Sequence, residues 1–382
     1  MVLEIHLLII EVILMFRGNL VDLPTKISLN YYWCSGFMIR RFLIVQVISG
    51  IILSFCYVSY SSQCFSVTIN LILDDFYTWI VRYVHIWGVT FIFLLFFIHM
   101  GRALYYSSYR KLGVWKVGFI LYILMMVEAF LGYVLPWHQM SYWAATVLSS
   151  IIKSIPFVGC ELYKFVVGHY YISGAAISRV YSAHVCLAFV ILGLSVVHLF
   201  YLHLGGSKKP LYVANGYSDV VAFHSYYTVK DAYLLVIMLL VFLVMLLVSP
   251  NCILDVERFI EANRMVTPVS IKPEWYFLAF YAMLRSIESK IGGLIFVLVF
   301  LFVLWLPTVN VSCPYCVVRQ YLFWFIVSFF IVLRYLGACH PEFPYAGIRK
   351  VVGLALILFV SLFKVLWAVP SLESGNMHVV SE

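Results

Sequence analysis

The chain has 382 residues, of which 64% are hydrophobic and 11% charged, and a formal net charge of +8. With a mean hydropathy of +1.01 it carries too few charges to be a soluble globular domain. Its composition is that of an all-α integral membrane protein. Crossing about 30 Å of hydrocarbon takes roughly 20 apolar residues, and eight runs qualify, near 33–58, 77–105, 115–135, 179–204, 231–249, 291–308, 321–338 and 348–369.

The apolar opening Met1 to Phe16 carries Glu4 and Glu11 and lacks a basic start and a small-residue cleavage site, so it reads as retained. Nine cysteines are scattered and suggest no disulfide framework. The one close pair, Cys313 and Cys316 in Cys-Pro-Tyr-Cys, lacks the second pair zinc would need and reads as a loop. The second loop carries Arg102, Arg110, Lys111 and Lys116 without an acid, whereas the first carries Asp74 and Asp75. The positive-inside rule puts the second loop and the N-terminus on the inner, matrix-equivalent side, and an even number of spans returns the C-terminus there. The expected organisation is an inner N-terminal segment (1–32), a four-helix bundle with surface helices (33–210, the surface helices at 139–168), and a C-terminal membrane domain of spans five to eight (211–382).

Span one contains Gly36 and Gly50, fourteen residues apart; span two contains His85 and His99 at the same interval. Span three repeats it with Gly118 and Gly132, and span four with His184 and His198. Fourteen helical residues turn through about 1400°, some 40° short of four turns, so each pair shares a face at a separation of about 21 Å. Two histidine helices side by side would offer facing imidazoles at two depths, each facing pair able to grip one metal from both sides, which is the geometry of two stacked haems. An ionisable ring in hydrocarbon is costly unless partnered, and coordination partners it. Glycines at matching depths on flanking helices would leave room for porphyrin edges. Arg82, Arg102 and Arg179 lie near the ends of the histidine helices, placed either to snorkel to headgroups or to meet haem propionates.

Gly132-Tyr-Val-Leu-Pro-Trp137 ends span three, and the segment Ser141 to Gly168, interrupted by Pro156 and Gly159, is too broken to span and reads as short helices on the acidic-side surface. Glu128 lies inside span three, as a proton-path residue or an arginine's partner. His203, Ser207, Lys230 and Asp231 cluster on the basic side beyond His198. Between spans five and six, Glu274 stands in Lys272-Pro-Glu-Trp-Tyr276, followed by Tyr281 and Arg285, as a site-lining carboxylate on the opposite side. Spans seven and eight look like packing helices.

The two histidine pairs, Gly132 to Trp137, Phe223-His-Ser-Tyr-Tyr-Thr-Val-Lys-Asp231 and Lys272 to Tyr276 together resemble the cytochrome b family, the haem-bearing core of quinol:cytochrome c reductase, over Asp22 to Pro370. The resemblance implies two non-covalent b-type haems, the low-potential one on His85 and His184 near the outer face and the high-potential one on His99 and His198 near the inner face. It implies a quinol-oxidation site lined by Pro273, Glu274, Tyr276, Tyr281 and Trp143, and a quinone-reduction site lined by His203, Ser207, Lys230 and Asp231. Ubiquinol would give one electron to an iron-sulfur protein and one to the outer haem, Glu274 would carry a proton outward, and the second electron would reduce quinone inside. Crossing about 21 Å of a ~30 Å core against the field costs an electron on the order of 1.6 kcal/mol per 100 mV, so the inner haem must hold electrons more tightly. Implied partners are a Rieske iron-sulfur subunit, a c-type cytochrome subunit, further complex III subunits, lipids and a second copy in a homodimer, with no nucleic acid; the compact length without long polar insertions favours the mitochondrial inner membrane over a bacterial plasma membrane. Departures from the family pattern are His138, Ala144, Ser225, Arg40, Glu288, the stretch Asn251 to Met265, and Glu128. Two other readings are a di-haem carrier for a flavin-linked reductase, which does not anticipate Pro273 to Tyr276, and a haem-free transporter with proton-relaying histidines.

Overall fold

The computed structural model describes residues 10–11, 13–14, 17–73, 76–208, 219–306 and 316–366. Asp74, Asp75, Cys313 and most of the apolar opening, Glu4 included, lie outside them. Among the described residues twelve helices follow in order: α1 Ser35–Cys56, α2 Cys64–Leu73, α3 Phe76–Tyr105, α4 Leu112–Val134, α5 Gln139–Lys153, α6 Gly159–Val167, α7 Gly174–Gly205, α8 Phe223–Val248, α9 Leu278–Leu284, α10 Lys290–Trp305, α11 Val317–Ala338 and α12 Tyr345–Leu366.

Seven of these, α1, α3, α4, α7, α8, α11 and α12, are long and apolar enough to cross a membrane. The chain is therefore a multi-pass, predominantly helical membrane protein. The expected sixth span, near 291–308, corresponds to α10, which has 16 residues, on the order of 24 Å. Its end has a local cause. Leu306 precedes Pro307 and takes up φ −47°, ψ 118°, the extended conformation a following proline imposes.

α1 packs along α3 and α4 along α7, and α1 also meets α7, which closes a four-helix bundle. The outer faces of these helices stay apolar and uncovered, with Phe200 60% and Val196 64% exposed on α7, as a lipid-facing surface requires. A two-stranded sheet ties the N-terminal segment to the start of α8: Pro24–Lys26 pairs antiparallel with Val220–Ala222, Pro24 opposite Ala222 and Lys26 opposite Val220. α8 begins earlier than the apolar run suggested, because a kink at His224 and Ser225 (φ 73°) joins a polar turn to the membrane helix.

The surface segment after α4 is two helices, α5 and α6, separated by a turn in which Phe157 adopts φ 66°; α6 stops at Gly168, whose φ of 77° suits a glycine. α2, which the sequence reading did not anticipate, packs beside the start of α3. His138 accepts the Ser141 backbone N–H on Nδ1 at 3.1 Å and so caps α5. The atypical stretch 251–265 is stitched to the same point: the Gln139 N–H donates to the Ile260 carbonyl at 2.9 Å, the Ala262 N–H to the Trp137 carbonyl at 3.1 Å, and the Asn263 N–H to Gln139 Oε1 at 2.7 Å.

Burial, with the charges of Arg258 and Arg82 behind it, holds the His138 imidazole well below its ordinary range. The unfolded chain therefore takes up a proton near pH 6.5 that the fold excludes, so this residue leaves stability unchanged above that pH and erodes it below, by up to about 1.4 kcal/mol per pH unit. The expected result is a thermal midpoint that falls from pH 6.5 to 5.5 in the native complex and falls less in His138→Asn, read by heat-induced aggregation across that window.

Candidate functional site

The histidine helices α3 and α7 bring their rings together in two places. The centroids of His85 and His184 lie 6.4 Å apart, and those of His99 and His198 also lie 6.4 Å apart. Two imidazoles bound at about 2.0–2.1 Å on opposite sides of one metal would have centroids roughly 6.3 Å apart, so both gaps fit one such atom. Among the described residues no three His, Cys, Asp or Glu side chains gather into a closed ion site. Each level thus presents two imidazoles facing one another.

The four glycines stand against these rings, α1 serving α3 and α4 serving α7. A Cβ on Gly36 would lie 3.2 Å from Cε1 of His99 and one on Gly50 3.2 Å from Cε1 of His85. At Gly118 and Gly132 the same atom would lie 2.8 Å from Cε1 of His198 and His184, closer than carbon atoms pack. What these glycines clear in the structure is first the imidazole itself.

Three of the Nδ1 atoms have side-chain partners, which sequence reading missed. Ser49 Oγ lies 2.9 Å from His85 Nδ1 while donating its own proton to the Val45 carbonyl at 2.7 Å. Ser35 Oγ lies 3.0 Å from His99 Nδ1 while donating to the Tyr32 carbonyl at 2.7 Å. Each hydroxyl, its proton spent, is left to accept an Nδ1–H, and that tautomer exposes the Nε2 lone pair to a metal. The signal was in the chain: Ser35 and Ser49 are also fourteen apart, each directly before a glycine. The third partner is Glu128, whose Oε1 lies 2.9 Å from His184 Nδ1; its side-chain partner here is a histidine rather than an arginine.

Of the three arginines, Arg82 donates to the Thr68 carbonyl and Arg179 to the Phe165 carbonyl. Arg102 lies over the Trp33 ring at 5.1 Å, contacts His99 Nδ1 at 3.2 Å, and keeps a buried Nε with no partner among the described residues. An orphaned guanidinium N–H beside a ligand ring fits an anionic group brought in by a cofactor.

On the other side of the bundle, Glu274 is ion-paired with Arg258, their side chains 11% and 12% exposed. Arg258 also lies over the Tyr133 ring at 5.1 Å, and Tyr133 meets His138 edge to face at 5.4 Å. Tyr276 stacks on Phe93 at 4.0 Å and 1°, Trp275 Nε1 reaches Thr90 Oγ1 at 3.4 Å, and the Tyr281 hydroxyl donates to the Ile271 carbonyl at 2.9 Å. Pro273 precedes this cluster, and Trp143 Nε1 on α5 is buried without a partner among the described residues. Glu274 and Tyr276 are thus held against α3 and the 251–265 stretch, an arrangement whose key cation, Arg258, the sequence did not single out.

At the inner end, His203 lies in the last turn of α7 and Ser207 two residues past it, with Asp231 buried on α8. Arg40 of α1 is the electrostatic neighbour common to His203 and Asp231. Lys230 turns instead toward the rings of Tyr226, Tyr227 and Tyr31, at 4.4, 5.2 and 5.8 Å.

Two family models match, Cytochrome b/b6/petB over residues 20–206 and Cytochrome b(C-terminal)/b6/petD over residues 261–360. Among curated proteins, a cytochrome b of Brachionus plicatilis is 38% identical over 364 residues, 94% of this chain and 95% of that one. A chain from a solved structure described as hyperthermophilic respiratory Complex III superposes with a TM-score of 0.85 at 24% identity, over 94% of this chain and 98% of that chain, and so shares its fold. The paired imidazoles, the glycines set against them and the near end-to-end likeness to a curated relative lead to one conclusion: this chain belongs to the cytochrome b family.

Proposed function

We propose that the chain is the di-haem subunit of a quinol:cytochrome c reductase of the complex III type, oxidising ubiquinol at an outer site and reducing quinone at an inner one, with net proton translocation. The observation that carries this reading is the pair of 6.4 Å imidazole gaps on two helices with fourteen-residue spacing. His85 and His184 would hold the low-potential haem, and His99 and His198 the high-potential one. Haem held by these histidine pairs would supply one-electron transfer.

The rest is work for side chains. With Nε2 of His99 facing a metal, Nδ1 would carry the proton and donate it to Ser35 Oγ, and Arg102, which can only donate, would be free to pair with an anionic group such as a propionate. Arg82 and Arg179 would meet the propionates of the other haem. At the outer site, Pro273 and Tyr276 shape the pocket with Tyr281 and Trp143, and Glu274 accepts a proton from the quinol hydroxyl once it leaves Arg258. At the inner site His203, Asp231, Lys230 and Ser207 orient the quinone and deliver protons, with Arg40 setting the local field. The complex would include a Rieske iron-sulfur subunit, a c-type cytochrome and further subunits, assembled as a homodimer among the lipids of the mitochondrial inner membrane.

Redox titration of the purified complex is expected to resolve two b-type haems of different potential, reduced by quinol and blocked by quinone analogues. Equal potentials, or reduction only through a flavoprotein, would defeat the proposal. Gly132→Ala and Gly118→Ala are expected to cost more than Gly50→Ala and Gly36→Ala, because their added Cβ is 2.8 Å rather than 3.2 Å from a ring carbon. Overpacking of this kind costs about 1–3 kcal/mol, and haem retained per chain during heating reads the order directly.

A further inference from the structure

Glu128 sits in the last third of α4, one turn before Gly132, so the two residues share a face toward α7. Gly132 clears the Cε1 side of the His184 ring. Glu128 meets the same ring at Nδ1, through Oε1 at 2.9 Å and through its backbone carbonyl at 3.1 Å. Its second carboxyl oxygen is buried with no hydrogen-bond partner among the described residues. A buried carboxyl in a membrane span is expensive. Here its close partner is a ring proposed as a haem ligand, a position where the other ligand histidines with side-chain acceptors have only a serine hydroxyl.

We infer that Glu128 is a positioning residue for His184 which, by accepting the Nδ1–H with a carboxyl oxygen, makes this imidazole the strongest donor of the four and lowers the reduction potential of the haem it holds. A carboxyl acceptor behind an imidazole fixes the ring and raises the basicity of its metal-binding nitrogen. A more basic axial ligand favours the oxidised metal. At the opposite end of the bundle the acceptor facing His99 Nδ1 is the neutral Ser35 hydroxyl, at 3.0 Å. The two sites therefore differ in the sense that favours electron movement from the His85/His184 pair to the His99/His198 pair. The inference rests on the haem assignment above.

The test is potentiometric titration of the b-type absorbance in the intact complex carrying Glu128→Ala or Glu128→Gln, with low-temperature electron paramagnetic resonance of each oxidised haem. In Glu128→Ala the reduction equilibrium of one haem should shift about tenfold toward the reduced form, 59 mV for one electron, and its resonance should move, with the other haem unchanged. Glu128→Gln keeps a carbonyl acceptor and should give a smaller shift in the same direction; it also serves if the alanine variant does not assemble. Unchanged potentials and resonances in a variant that retains both haems would overturn the inference, as would equal shifts in both haems. A native complex without two b-type haems would instead overturn the assignment beneath it.

Discussion

His198→Ala in the intact complex is expected to remove one of the two proposed haems and to abolish quinone reduction at the inner side, while quinol can still reduce the remaining haem. The loss follows from the count of ligands. Each ring pair offers one imidazole from α3 and one from α7 across 6.4 Å, and α4 presses Gly118 against His198 with no side chain able to replace it. Removing one ring leaves His99 as the one imidazole of its pair, and water is a poor substitute inside a membrane span. The control lies five residues further on. His203→Ala is expected to keep both haems and to affect only the inner substrate site. A haemochrome assay normalised to polypeptide distinguishes the two variants, and full haem content in His198→Ala would remove the central assignment. A haem-free transporter would show no b-type absorbance in either.

That the glycines of α1 and α4 share the depths of the histidines could be read from sequence because a membrane helix is rigid. With all backbone hydrogen bonds inside the segment, residue spacing converts directly into depth and azimuth, and the same fourteen-residue interval on four helices left little geometric freedom. The serines at positions 35 and 49 obey that interval and were equally readable. Glu128 was noticed but not placed, because its partner lies 56 residues away on another helix and helix azimuth alone does not say which atom of a ring it meets. α10 falls on the sixth apolar run, which extends past its end into Leu306-Pro307 because hydropathy does not register a proline's effect on the preceding backbone. Arg40 is an unexpected charge in span one; its electrostatic influence on both His203 and Asp231 supplies the physical context that a linear pattern lacks.

The outer site shows the same limit most clearly and supports the second large effect. Glu274 was legible from its motif, but Arg258 lies in a stretch that follows no familiar pattern, and the pair depends on a loop folding back over α5 and the end of α4. Both partners are nearly buried, 12% and 11% exposed, so removing Arg258 alone leaves a carboxyl without its counter-charge, a loss of about 3–5 kcal/mol for buried pairs. Glu274→Gln has a different consequence: it removes the proton acceptor while keeping the shape. Quinol oxidation is expected to slow by about a hundredfold, the lower end of what a positioned base contributes, with both haem spectra unchanged. If Arg258 serves to hold Glu274 until substrate arrives, the effects of the two substitutions are not additive, because a glutamine has no charge for the arginine to hold. Arg258→Met in the wild-type background should then slow quinol oxidation strongly, and in the Glu274→Gln background only slightly. Additive losses in this cycle would make the ion pair a bystander to proton transfer, and an unchanged rate in Glu274→Gln would move the proton acceptor elsewhere on the outer face.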